Sequence, residues 1–314
     1  MTDAADHLRR ERAGALMRRA AIASVTVSAF LVTIKTFAYF ASHSVAMLAS
    51  LADSALDLFT SSLTLFAIHH ALTPADDEHR FGHGKAEPLA GLAQAAFITA
   101  SALFLVIQAV NRILAPEPLE NSIPALLVMC VAIACAIGLI LYERGVVAKT
   151  GSTAVEADKT HFIGDLATNI GVVVALVLTV YAGWTLADPL IAMAVAGIMT
   201  YTAWGVGRTS LDQLMDHELP REERDRIAHI VRGHGAVRSL HDLKTRKAGL
   251  SVFIQVHLEL DPQMKLADAH AISDEVERDL MAAFPGAEVI IHQDPEGLEA
   301  VSPVDRREPR APRA

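Results

Sequence analysis

Asp53 and Asp57 lie four residues apart inside an apolar stretch running from about Val45 to Ile68. An ionisable side chain at bilayer mid-depth costs roughly 2.5–3.5 kcal/mol on insertion scales, so two in one span demand compensation. On a helix the two carboxylates stack on one face, one turn apart. His161 and Asp165 repeat that spacing in another apolar stretch, opened by Thr160-His161-Phe162-Ile163-Gly164-Asp165. Brought together, the two helices offer three carboxylates and one imidazole, a set suited to a tetrahedral divalent ion. Mixed oxygen and nitrogen ligands favour zinc, with cadmium, iron or manganese as further candidates. The plainer alternative is a solvated face or an internal ion pair with Lys35. It accommodates one carboxylate, but not two matched pairs.

Two further groups have metal-ligand composition. In Asp76-Asp77-Glu78-His79-Arg80-Phe81-Gly82-His83-Gly84-Lys85, the residues Asp76, His79 and His83 can chelate within one loop, with Gly82 and Gly84 freeing the backbone around His83. The Gly-Lys pair is not a phosphate loop, because Ala86 stands where Ser or Thr is required and Glu78 where the first Gly belongs. The alternative there is a set of solvated charges holding helix ends. Nearer the C-terminus, His241, His257, His270, His292 and Asp294 can converge on one sheet edge, as a zinc site with Asp294 bridging two ions or simply as surface histidines. His7, His43, His69, His70, His217, His229 and His234 carry no such pattern.

The elements that must position these groups follow from hydropathy. Of 314 residues 52% are hydrophobic and 20% charged, and the mean hydropathy is +0.33. The apolar residues fall in blocks, at about 20–40, 45–68, 88–111, 123–142, 160–183 and 188–207, each near the ~20 residues that cross a bilayer. The net charge of -9 lies almost wholly outside them. No cleavable leader is expected, since the N-terminus is charged for nearly twenty residues. Basic residues at 9–19, Arg80 with Lys85, and Arg144 with Lys149 and Lys159 alternate with connections near 41–44, 112–122 and 184–187 that hold only Arg112. The positive-inside rule then places both termini in the cytoplasm. Cys130 and Cys135, five apart on one helix, diverge too far for a disulfide and read as small buried hydrophobes.

From about Leu211 the composition becomes that of a soluble domain. A helix begins at Pro220-Arg221-Glu222-Glu223 with Ile227, Ile230 and Val231 on one face, and a strand covers 237–246. Even positions from Leu250 to Leu260 are apolar, the alternation of a half-buried strand. A helix striped by Ile272, Val276, Leu280 and Phe284 and a last strand from Glu288 to Gln293 complete an αββαβ order. The expected architecture is a six-span α-helical membrane protein with a C-terminal cytoplasmic α/β domain of metallochaperone-like type. Its parts are a cytoplasmic segment (1–19), a membrane domain (20–208), the αββαβ domain (209–295) and a disordered tail (296–314) rich in Pro, Arg and Glu.

Ser-Leu-Ala-Asp-Ser-x-x-Asp, Phe-Gly-His-Gly-Lys-x-Glu, His-x-x-x-Asp and Ile-Ile-His-Gln-Asp together resemble the cation diffusion facilitator family, over about residues 15–295 and nearest its bacterial ferrous-iron/zinc efflux branch. The resemblance implies a transport site of Asp53, Asp57, His161 and Asp165, a loop site of Asp76, His79 and His83, and a binuclear cytoplasmic site of His241, His257, His270, His292 and Asp294. It also implies a homodimer formed through the C-terminal domain and locked by a Lys85–Asp216 salt bridge. The expected activity is proton-coupled export of divalent metal by alternating access across a bacterial inner membrane, with Zn2+ both cargo and regulator. The bilayer, divalent metal ions and a second copy of the chain are the expected partners, and nucleic acid is not. A membrane-embedded metalloenzyme lacks a hydrolase motif here. A metal sensor without transport has no use for ligands inside the membrane.

Overall fold

The computed structural model describes residues 2–42, 45–115, 123–182, 184 and 186–297. The chain divides into two compact units, Arg12–Asp212 and the combination of Met1–Glu11 with Gln213–Ala314. Among the described residues six helices are long and apolar enough to span a membrane. They are α1 (Thr2–Ser42), α2 (Val45–Ala71), α3 (Ala86–Leu114), α4 (Ile123–Thr150), α5 (Thr153–Ala182) and α6 (Ala187–Leu214).

The helices outrun their apolar blocks, because hydrocarbon thickness limits the apolar run while backbone hydrogen bonding continues beyond it. The difference is largest between α4 and α5. The connection expected around Arg144, Lys149 and Lys159 is helical except at Gly151 and Ser152. Gly151 makes the turn at φ +61, a conformation open to glycine because it lacks a Cβ. Two carboxylates of that stretch, Glu143 and Asp158, are carried into the buried interior.

Helix α5 is the hub of the membrane unit, with α2, α3 and α4 all packed on it. Small residues let α6 approach as well: a Cβ on Gly171 would lie 2.9 Å from Ile191 Cγ2, and one on Gly164 3.2 Å from Met199 Cε. Helices α3 and α6 share a core of Ile98, Ala102, Val195, Ala196, Met199 and Ala203. Ser24 of α1 donates to Ser61 of α2 at 2.8 Å. Phe37, Phe66, Leu114, Tyr201 and Trp204 are exposed, as a lipid-facing surface requires. Cys130 joins that surface and Cys135 is half-buried, so the expectation of two buried thiols fails. A thiol on the lipid side meets an apolar medium without entering the protein core.

The other unit contains α7 (Arg221–Arg232), β1 (Ser239–Ala248), β2 (Ser251–Leu260), α8 (Leu266–Ala283) and β3 (Ala287–Pro295). The sheet order is β1-β2-β3. β1 and β2 are antiparallel, whereas β3 lies parallel to β2 because α8 forms the crossover. The even positions of β2 (Ile254, Val256, Leu258, Leu260) enter a core with Ile227, Val231, Val276 and Leu280. The odd positions therefore face away from that core. Beyond Gly297 the expected disordered tail lies outside the described residues.

Ile254 is fully buried in this core. Ile254→Ala is expected to cost about 2–5 kcal/mol through lost burial and a residual cavity, read as a lower unfolding midpoint of this unit. An unchanged midpoint contradicts the assigned core.

Candidate metal centres

Each of the three ligand groups is assembled by a different structural device. In the membrane unit the packing of α2 on α5 brings Asp57 to His161 and Asp165. His161 Nε2 stands 3.0 Å from Asp57 Oδ1 and 3.6 Å from Asp165 Oδ2. One ligand atom from each residue lies within 4.8 Å of the others, a group able to hold a metal ion. Asp165 Oδ2 is buried with no hydrogen-bond donor among the described residues. Asp53 stands outside this group and is exposed, one turn earlier on α2. The internal ion pair considered for Lys35 takes another form. Its amine donates to Ser54 Oγ at 2.6 Å and to the Ser50 carbonyl at 3.1 Å. The ammonium thus bonds neutral oxygens on α2, while its charge still acts on Asp57, Asp53 and Asp165.

The second group lies between α2 and α3. Asp76 Oδ1 accepts the backbone N–H of His79 at 2.6 Å and of Glu78 at 3.0 Å, a local turn closed by the side chain. These donors, the His79 N–H foremost, hold the Asp76 carboxyl below the usual carboxylate range. His79 Nδ1 lies 3.3 Å from Asp76 Oδ1, and His83 Nε2 lies 3.4 Å from Asp76 Oδ2. Gly82, at φ +75, allows the chain to double back so that all three side chains meet. His70, passed over in the sequence, brings its ring to 4.6 Å from that of His83. Its position in the last turn of α2 was a signal available beforehand, since only a short loop separates it from Asp76.

The third group depends on strand register. His241 pairs with His257 and His257 with His292, so three histidines form one row across the sheet. His257 Nδ1 is 2.8 Å from Asp294 Oδ2, and His241 Nε2 is 3.4 Å from the same oxygen. His292 Nε2 approaches the other oxygen, Asp294 Oδ1, at 3.0 Å. His241, His257 and Asp294 form the compact ligand group, with His292 beside it. Asp294, buried at 5% side-chain exposure, thus presents one oxygen to two imidazoles and the other to a third. An irregularity between His241 and Lys244, with Asp242 at φ 48, reshapes β1 next to this row. His270 is not brought in: it is exposed on α8, 3.6 Å from Asp274. Glu259, which sequence reading treated only as a polar neighbour, lies 3.5 Å from His241. Asp216, the expected partner of Lys85, has Arg246 at 3.3 Å.

A carboxylate–imidazole group inside six helices long and apolar enough to span a membrane, joined to a small α/β domain bearing a row of histidines, fits a multi-pass membrane protein that handles metal cations. Residues 21–215 match the family model for the cation efflux transmembrane domain, and residues 219–296 match that for the cation efflux protein cytoplasmic domain. The chain belongs to the cation efflux, or cation diffusion facilitator, family. It is 42% identical over 285 residues to the cation-efflux pump FieF of Klebsiella pneumoniae, an alignment covering 91% of this chain and 95% of that one. It is 46% identical over 283 residues to FieF of Shewanella oneidensis, covering 90% and 95%. Among solved structures, the metal-bound C-terminal domain of the CzcD transporter from Thermotoga maritima is 27% identical, spans 26% of this chain and all (100%) of that one, and has a TM-score of 0.24.

The depressed Asp76 carboxyl has a consequence for pH. Its contribution to folding is present above the ordinary carboxylate pKa and is lost only as pH falls through its lower folded value. A metal held in the loop takes its oxygen from Asp76 and its nitrogens from His79 and His83. Zinc binding to protein lacking the other two groups is expected to be lost in His83→Ala. Unchanged zinc affinity in that variant contradicts the loop group.

Proposed function

We propose that this transporter exports divalent metal cations from the cytoplasm, zinc foremost and cadmium and ferrous iron as well, in exchange for protons. The observation that carries the reading is the contact between Asp57 on α2 and His161 on α5, at 3.0 Å inside membrane-spanning helices. Two polar atoms at that distance hold a hydrogen between them. A metal ligated by both atoms takes the place of that hydrogen, so metal and proton exclude one another. Asp165 supplies a further oxygen, and Asp53 is one turn away as the remaining carboxylate of the transport site. Nitrogen and oxygen ligands in this proportion suit zinc.

Rocking of the helices exposes the group to either side in turn, the alternating-access cycle of secondary transporters. On the cytoplasmic side the metal displaces protons, and on a more acidic exterior protons displace the metal. The distribution of basic residues supports an orientation with both termini in the cytoplasm, in a bacterial inner membrane. The loop group of Asp76, His79 and His83 sits where it can relay or regulate metal. In the cytoplasmic domain the bridging posture of Asp294 supports a binuclear zinc site with His241, His257 and His292, and with His270 contributing after movement of its exposed side chain. Zinc at that site favours a homodimer joined through this domain and locked by Lys85 and Asp216, since a ligand bound more tightly by the assembled form shifts the equilibrium toward it.

In proteoliposomes with an imposed pH gradient, Asp57→Ala is expected to reduce zinc flux to the level of protein-free vesicles while the variant remains folded. Full residual flux would falsify the assignment of the transport site. His161→Asp turns the group into carboxylates only, and the hardness of its ligands then favours manganese. Competition assays should show manganese gaining on zinc, and unchanged selectivity removes His161 from the role of selectivity ligand.

A further inference from the structure

The membrane unit buries a second acidic group where α3, α4 and α5 meet. Glu143 of α4 has 0% exposure and Asp158 of α5 has 1%. The packing of α4 on α5 sets their carboxyls against one another. Gln94 of α3 donates through Nε2 to Asp158 Oδ1 at 2.8 Å. Four buried oxygens here, both of Glu143 together with Asp158 Oδ2 and Gln94 Oε1, have no donor among the described residues. The other charged groups facing Glu143 are Glu156 and Lys159, both on α5. The Lys159 amine is bonded to Glu156 at 2.6 Å. No hydrogen bond or ion pair joins either carboxyl to Asp57, His161 or Asp165 among the described residues, although the Asp158 charge acts on the His161 imidazole.

An ionised carboxylate only accepts hydrogen bonds, so two of them in contact leave each facing bare negative charge. Burial multiplies that repulsion, because the surrounding medium screens poorly and offers no water. One proton placed between them removes both difficulties. It makes one carboxyl a donor to the other, and the single remaining charge is supported by the Gln94 amide. We propose that Glu143 and Asp158 form a proton-binding site, holding one shared proton, and that this proton is exchanged during the transport cycle. Its presence follows from the packing alone, while its exchange rests on the proton-coupled reading above. Asp158 precedes His161 by three residues on α5, so loss of the proton leaves two unscreened carboxylates against the helix that carries two of the transport-site ligands. The sequence concealed the pair because the apolar count ended the fourth span at 142 and left Glu143 in a connection.

Infrared difference spectroscopy on the purified full-length protein without divalent metal reads the shared proton directly. The parent is expected to show the carbonyl stretch of a protonated carboxylic acid, absent from Glu143→Gln and from Asp158→Asn and retained in Asp57→Ala. Either of the first two variants suffices should the other fail to fold. No band in the parent-minus-variant difference overturns the site, as does its disappearance in Asp57→Ala. An all-oxygen group also suits a hard cation. If magnesium or manganese abolishes the band in the parent, and those ions no longer bind in Glu143→Gln, the group is a cation site and the proposal falls. In proteoliposomes, proton flux per zinc is expected to be lower in Glu143→Gln than in the parent, and an unchanged ratio overturns exchange. Zinc movement in the parent with no proton flux contradicts antiport itself, whereas proton flux without the infrared band contradicts only this site.

Discussion

A carboxylate placed at the depth of a lipid bilayer must find a partner, and the partner on α2 has to come from another helix. Asp57 meets that requirement through His161 on α5 at 3.0 Å. The desolvation of both groups makes their separation costly unless something else of positive charge takes the space between them. A metal ion is such a substitute, and so is a proton. The same unfavourable burial that makes this pair expensive in an empty state therefore makes it responsive to ions. Much of the membrane unit serves that contact: α5 is the helix on which α2, α3 and α4 pack, and Gly164 and Gly171 bring α6 against it as well.

The cytoplasmic unit reaches a similar ligand composition by another route. There the alignment is set by strand pairing, which places His241, His257 and His292 opposite one another with no need for helix packing. The core beneath the sheet fixes which face they occupy, because a shift of one residue would turn Ile254, Val256 and Leu258 outward. Asp294 then sits between imidazoles on both sides and is itself buried. A rigid sheet suits a site that binds and holds. Helices that can rock against one another suit one that must also release.

How far these features could be read in advance depends on the range of the signal. Helical spacing put Asp53 beside Asp57 and His161 beside Asp165, and strand alternation put Ile254, Val256, Leu258 and Leu260 in a core. Hydropathy counted six spans, as the structure has them. Hydropathy did not locate the helix ends, because the polar turns of α4 and α5 continue past the hydrocarbon, and Glu143 and Asp158 were missed with them. Spacing could not tell which carboxylate of an i,i+4 pair faces the partner helix, which depends on the rotation of α2 against α5. Hence Asp57 lies in the group and Asp53 outside it. The parallel placement of β3, and with it the row of histidines, came from pairings between residues distant in sequence, which no local pattern encodes.

The central claim is that α2 and α5 hold one ion between them. Anomalous diffraction from crystals of the zinc-loaded protein locates that ion directly. The account predicts a zinc peak about 2.0–2.2 Å from oxygens of Asp57 and Asp165 and from His161 Nε2. Zinc peaks confined to the loop and the cytoplasmic sheet, with none between α2 and α5 in fully loaded protein, would contradict it.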